Sequence, residues 1–338
     1  MKIIKKNIKL LIGIIIGILI SGSVVIAETI IEANHIKYSN SKTEKTNVQD
    51  AIDELYELSE NLRHNNFASL ILKNNKVINK KPTLTTSSNN TSDESGLYKS
   101  TNTNSGTTYY FRGNVENNYV NFAGFTWRIV RINEDGTIRI VMQDGINNDT
   151  KYTFNSNTNN YTYMYYTNSQ IKSKLESWYQ ANIGSKADLA KNVASGNYYC
   201  EQAKTKADSS WTSGSANMIV YSSYTPNFKC TADGNNKGLV NASIGLLSYD
   251  EVVYAGGYHG KSNSNYYLYN SSIYWWTMSP CGFADHYFAA GAWYGNTAGS
   301  ISRDSVTLTF SLRPVLILKS DTQISLGDGT KNNPYILS

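Results

Sequence analysis

An α+β fold is predicted by three stretches of the sequence. Phe125–Ile132 and Thr137–Met142, joined by Asn133-Glu134-Asp135-Gly136, read as a β-hairpin, with the turn supplying the positive φ that the reversal demands. Ser169–Ile183 reads as an amphipathic helix, because Ile171, Leu175, Trp178 and Tyr179 recur on one stripe at helical spacing. Tyr274-Trp275-Trp276-Thr277-Met278-Ser279-Pro280 and Ser311-Leu312-Arg313-Pro314-Val315-Leu316-Ile317-Leu318 read as two buried strands, the first stopped by a proline that cannot continue a ladder.

The elements follow in order. A basic start, with Lys2, Lys5, Lys6 and Lys9, precedes an apolar run from Leu10 to Ala27. The run is long enough to span a bilayer, which takes about 20 residues. It also closes on Val25-Ile26-Ala27, the small-residue spacing of a cleavage site. It is therefore a cleaved signal peptide or an uncleaved signal anchor, and in either case everything after Glu28 is expected outside the cell. The formal net charge of +5 comes mostly from this leader: without its four lysines, 27 basic residues face 26 acidic ones. A near-neutral exported chain lacks the basic field that nucleic-acid binding needs.

Residues 28–78 form the expected stalk. Thr46 or Asn47 can cap a helix, Asp50 and Asp53 suit its positive end, and Val48, Ala51, Leu55, Leu58 and Leu62 repeat at three- and four-residue spacing. This seam over 48–62 either joins copies of the chain as a homo-oligomer or packs on its own domain. Ala33–Tyr38 together with Thr46–Leu55 resembles a short module of phage tail fibres. Residues 79–95, rich in Lys, Ser, Thr and Asn, read as a linker, and 96–338 as the main domain.

Within that domain, Tyr109–Gly113 and Tyr119–Phe122 are expected to join the sheet of the hairpin. In the hairpin, the two-residue period sets Trp127 and Ile129 on one face and Arg128 and Val130 on the other, with the arginines read as solvated edges of a half-buried sheet. A short helix is expected from Lys186 to Ala194. Another is expected from Ser248, where Ser248-Tyr-Asp-Glu251 forms a capping box and Gly256 the stop. Cys200 and Cys230 flank a Ser/Thr/Asn-rich segment and are expected to pair in an exported chain, leaving Cys281 as the odd thiol. Cys281 to Phe310 shows no sustained period and reads as a long loop. The chain closes on a turn at Gly327-Asp-Gly-Thr-Lys-Asn-Asn and a strand at Tyr335-Ile-Leu337.

No constellation for catalysis stands out, so no catalytic residue, cofactor or metal is expected. Gly256-Gly-Tyr-His-Gly-Lys261-Ser262 meets a loose phosphate-loop pattern, but it follows a helix instead of opening one. The four histidines, at 35, 64, 259 and 286, lack zinc-ligand spacing. Asp285 and His286 near Cys281 do not by adjacency make a thiol–base dyad.

Trp275-Trp276-Thr-Met-Ser279-Pro280 followed by Arg313-Pro314-Val315 resembles the C-terminal half of a domain family of largely unknown function in surface proteins of low-GC Gram-positive bacteria. That family is similar to the C-type-lectin-like fold shared by formylglycine-generating enzymes and retroelement-diversified bacterial receptors. This chain has Ser311-Leu312 where Gly-Val is commoner before the Arg-Pro. The resemblance implies antiparallel strands, a few short helices and long loops, and ligand contact by the stretch before the Arg-Pro strand. Carried onto this sequence, it points to Asp285, His286, Tyr287, Trp293, Tyr294, Asn296, Arg303 and Asp304 as ligand-binding residues. Aromatic rings there would offer rigid contact area to a glycan or a protein. The alternative places Phe283, Phe288 and Trp293 in the core. The function expected is non-catalytic binding or adhesion at the cell surface through loops 281–312. The alternative is a structural component of the envelope.

Overall fold

A computed structural model describes residues 47–53, 66–84, 93–202, 217–218, 225–233, 236–283 and 291–337. The leader, most of the stalk seam, and Asp285, His286, Tyr287 and Phe288 lie outside the described residues. The chain divides into units 1–62 and 63–338. In the first, residues 48–53 are helical and Asn47 caps them, its Oδ1 accepting from the Asp50 N–H at 2.8 Å. Among the described residues no helix is long and apolar enough to cross a membrane.

The second unit is α+β. Its chain runs through α1 (Phe67–Asn74), β1 (Val77–Ile78), β2 (Gly96–Ser100), β3 (Thr108–Arg112), β4 (Tyr119–Phe122), β5 (Phe125–Ile132), β6 (Ile138–Met142) and β7 (Lys151–Thr153). Next come α2 (Gln170–Tyr179), α3 (Ala187–Ala190), β8 (Gly196–Cys200), β9 (Asn217–Met218), β10 (Leu239–Ala242), α4 (Tyr249–Ala255) and β11 (Tyr258–His259). The remainder is all strand: β12 (Trp275–Phe283), β13 (Gly291–Gly295), β14 (Ser300–Ser305), β15 (Thr309–Ser311), β16 (Val315–Leu318), β17 (Ile324–Leu326) and β18 (Tyr335–Leu337). Among the described residues, one nine-stranded sheet is centred on β5 and a seven-stranded sheet on β12, with β8 and β10 as a separate pair. Helix α1 and strand β1, in the stretch read as stalk, belong to this unit. Phe67 and Ile71 are fully buried, and β1 pairs in parallel with β2.

The hairpin forms as its sequence dictates. Gly136 takes φ +80°, the Asn133 N–H donates to Thr137 O at 2.8 Å, and Asp135 Oδ1 accepts from the Thr137 N–H at 3.0 Å. Its arginines are not solvated edges: Arg128, Arg131 and Arg139 are all buried. Arg128 is held by Asn118 and Val115 O, α4 packs over Arg139, and a β-bulge adds Arg131 to the same face. Ile129 pairs with Ile140 but Arg131 pairs with Arg139, so Val130 is the extra residue. Strict alternation would put Arg131 on the Trp127 face. The bulge turns it to the opposite face, beside Arg128 and Arg139.

Each face has its own helix. Trp178 of α2 packs on Trp127 and Phe125, with ring centroids 6.4 and 5.1 Å away. Helix α4 lies on the arginine face, where Tyr254 meets Tyr110 edge-on at 4.8 Å. Both helices start as expected: Ser169 caps α2, and Ser248 and Glu251 complete the capping box of α4. Gly256 ends α4 at φ +124°. The guanidinium of Arg112 then takes the last carbonyls, donating to Val253 O and Tyr254 O at 2.9 Å each, where a cation suits the helix dipole. The same group pairs with Asp93 at 2.9 Å and donates to Thr83 O at 3.2 Å, tying residues of the predicted linker to the domain.

Glu251 joins α4 to the sheet. Its Oε2 accepts from the Ser248 N–H at 2.9 Å, while Oε1 lies 3.0 Å from Arg139 Nε and 3.4 Å from Arg131 Nε. Arg131 also stacks on Phe228, 4.8 Å from the ring centre. Burial pushes the Arg131 guanidinium below its usual range, and the Arg139 charge beside it adds to that.

Three further expectations change. Helix α3 is shorter than Lys186–Ala194, because Val193 bridges to Leu318 and the Ala194 N–H donates to Ile317 O, drawing the chain onto β16. Pro280 does not stop its strand: β12 runs on to Phe283, with the register shifting on both sides of Pro280, so the missing N–H falls at an irregularity in the ladder. Cys281–Phe310 contains β13, β14 and most of β15, ordered by pairing with β12 and with each other. The Cys200–Cys230 disulfide forms, with Cα atoms 5.9 Å apart, at the end of β8.

Removing a partner from a buried pair strands the remaining charges. Glu251→Ala should therefore lower unfolding free energy by about 3–5 kcal/mol. Glu176→Ala, in the part-exposed Lys172–Glu176 pair on α2, should change it by no more than about 0.5 kcal/mol. Urea denaturation of both variants checks this, and equal losses would contradict the role given to Glu251.

Candidate functional site

Two-residue alternation sorts the residues around β12. Trp275 faces inward, beneath the buried Arg313, whose guanidinium carbon is 5.0 Å from the indole centre. Burial pushes Arg313 down to about 10. Tyr274 and Trp276 therefore face the other way. Tyr294 is the register partner of Trp276, and Ser302 that of Tyr294. Trp275 pairs with Ser311 in β15, which puts the neighbouring Phe310 on the Tyr274 side, with Tyr152 of β7 as its cross-strand partner.

An aromatic cluster results. Phe310 stacks on Tyr274 at 5.6 Å and packs against Tyr294 at 4.3 Å, and Tyr274 and Tyr294 are 5.9 Å apart. Beneath them Trp276 is fully buried. Its Nε1 donates to Tyr152 O at 2.9 Å, and its ring meets Phe310 at 4.5 Å and Phe154 edge-on at 5.5 Å. Tyr274 is 39% exposed and Leu308, in the turn before β15, 40% exposed. Tyr294 and Phe310 are half-buried, and burial raises the Tyr294 phenol above its usual range. The face is thus a group of rings, with Tyr294 and Phe310 resting on a buried indole and Tyr274 stacked on Phe310, open to solvent at Tyr274.

The residues implied by the family resemblance divide. Tyr294 lies in the cluster, and Asp304 is on the same side of β14 as Ser302, its Oδ1 accepting from the Ser305 N–H at 2.8 Å. Arg303 alternates to the opposite side, towards His259, which its charge and partial burial hold below the usual histidine value, burial being the larger cause. Asn296 is consumed by the β13–β14 turn: Oδ1 accepts from the Ala298 and Ser300 N–H groups at 3.0 Å each, and Nδ2 donates to Ser300 Oγ at 2.6 Å. The backbone of Trp293 pairs with Arg303. Asp285, His286 and Tyr287 lie outside the described residues. Phe283 is in the core. Tyr274, Phe310 and Tyr152 were missed. A two-residue count back from Trp276 marks Tyr274, whereas nothing local marks Phe310 or Tyr152, since their neighbours come from distant strands.

Among the described residues no three His, Cys, Asp or Glu side chains are grouped to hold a metal ion. The Cys281 thiol is free and buried, pushed up to about 12 by burial; the Arg303 charge opposes this in part. Comparison of the chain with protein-family models, curated proteins and solved structures finds no match.

A thiol held neutral is a poor nucleophile. Cys281 should resist iodoacetamide in the folded protein at about pH 8 and react once urea unfolds it, as read by mass spectrometry. Its folded pKa lies above the ordinary value of 9.0, so its contribution to stability is complete below about 9 and is lost as pH rises through about 12. Cys281→Ala should flatten that decline. Ready alkylation of the folded chain would contradict the burial.

Proposed function

We propose that this chain is an exported, non-catalytic binding protein that holds a glycan on the Tyr274–Tyr294–Phe310 face. The observation that carries this reading is the exposed, braced aromatic ring of Tyr274 stacked on Phe310. A pyranose ring presents an apolar C–H face and polar edges. The first suits a rigid aromatic surface that loses little conformational entropy on contact. The second suits neighbouring Ser302, Asp304 and Tyr152. Antiparallel pairing of β12 with β13 and of β13 with β14, with Arg313-Pro314 leading into β16, supports a C-type-lectin-like reading of the fold and membership of the surface-domain family. The basic apolar leader and the near-neutral remainder support export to the outer face of the membrane, or release if the leader is cleaved after Ala27. The 48–62 seam supports self-association of the chain.

The full chain, applied to arrayed bacterial and host glycans, should retain a defined set. Tyr274→Ala should weaken that binding at least tenfold with little change in Tm, because the ring is exposed and clusters of this type concentrate binding energy in a few aromatic residues. Leu326→Ala, an exposed apolar residue on β17, serves as the control. Retention unaffected by Tyr274→Ala and by Phe310→Ala would remove the face from the mechanism. No retention at all would favour an assembly role in the envelope.

A further inference from the structure

Between β6 and β7 the backbone is strained. Asn147, Asn148 and Asp149, consecutive and none of them glycine, take φ of +51°, +55° and +61°. Left-handed backbone is unfavourable for L side chains, least so for Asn and Asp, and is normally visited by single residues. A run of this kind persists only where its surroundings hold it, and such places gather at ligand-contact sites.

Hydrogen bonds supply the hold. Asp149 Oδ1 accepts from the Gly145 N–H at 2.6 Å, and Asp149 O accepts from Ser311 Oγ at 2.8 Å. Asn147 O accepts from Thr150 Oγ1 at 2.6 Å, and the Ile146 N–H donates to Leu312 O at 2.9 Å. The turn is thereby tied to Ser311 and Leu312, directly after Phe310 of the aromatic face.

The side chain that the turn presents is that of Asn147. It is exposed, and its Nδ2 donates to Tyr152 Oη at 2.7 Å. Tyr152 is the cross-strand partner of Phe310, and such partners stand about 5 Å apart on one side of a sheet. The amide therefore lies at the rim of the aromatic face. With one hydrogen given to Tyr152, it keeps a second N–H and its carbonyl oxygen for a ligand. The tyrosine hydroxyl, having accepted, keeps its own hydrogen to donate. Donor and acceptor side by side match sugar hydroxyls, which give and accept hydrogen bonds alike.

The charges around this face are of one sign. Asp304 lies on its side of β14, and its charge adds to the burial that raises the Tyr294 phenol. The cations of β7 and of β12 to β15 are Lys151 and Arg303, and both alternate to the opposite side. The segment from Gln143 to Thr150 carries Asp144 and Asp149 and no cation.

We propose, resting on the glycan reading above, that the ligand is an uncharged glycan: Asn147 fixes its hydroxyls, and Asp304 turns acidic sugars away. The strained turn holds the amide at the rim in one orientation before the ligand arrives.

The test offers the full chain matched glycans, one core ending in a neutral hexose and the same core ending in a sialic or uronic acid. The neutral form should bind about tenfold more tightly, because like charges brought together at a contact are strongly unfavourable. Asn147→Gly keeps the left-handed backbone without steric penalty, so Tm should hold or rise. Its binding of the neutral form should fall about fivefold, the loss of a hydrogen-bonding group. Asn148→Gly, which leaves the Asn147 amide in place, should not change binding. Asp304→Asn should raise binding of the acidic form severalfold relative to the neutral one. Binding that Tyr274→Ala abolishes but Asn147→Gly leaves intact overturns this proposal alone, as does equal binding of the two glycan forms. Absence of any bound glycan overturns the glycan reading and this proposal with it.

Discussion

One carboxylate, that of Glu251, carries two structural duties that normally fall to separate groups. Its Oε2 closes the capping box of α4, and its Oε1 faces both Arg139 and Arg131 across the sheet. Both guanidinium groups are buried, so each would be a large desolvation cost without it. The helix start is thereby pinned to the hairpin. At the other end of α4, Arg112 binds the terminal carbonyls and Asp93. A short helix that could not persist alone is held at both ends by charges from the sheet.

Irregular strands make those contacts possible. The bulge at Val130 turns Arg131 onto the arginine face, and without it Glu251 would meet only Arg139. Pro280 sits in a comparable break in β12, which lets a strand of nine residues continue past a residue with no N–H. The aromatic face stands beside these strands and not on loops alone. Its side chains are fixed by packing and pairing, the condition under which a weak ligand contact becomes specific.

Legibility differed from residue to residue. Tyr294 and Asp304 were reached only through a resemblance to a family pattern in their segment. Phe310 and Tyr152 were not reached, since their relation to Tyr274 exists only through β12–β15 and β15–β7 pairing. Asn296 read as a polar contact residue because asparagine suits both ligands and turns; the backbone of β13–β14 decides for the turn. Asn133 gave no sequence signal at all. The orientation of its buried amide rests on where a threonine hydroxyl sends its single hydrogen.

By itself the sequence determined the local elements: the hairpin through Gly136, α2 through its apolar stripe and Ser169, α4 through its capping box, and the strand character of β12 and β16. These depend on neighbours within a few residues, where propensity and spacing act directly. Only the tertiary structure decided that the hairpin arginines are buried, that Gly291–Gly295 and Ser300–Ser305 form strands, and which aromatic rings meet. An arginine at a strand position is equally compatible with solvent and with a buried carboxylate 120 residues away in the chain. A Gly- and Ala-rich segment becomes a strand only when a partner edge supplies its hydrogen bonds.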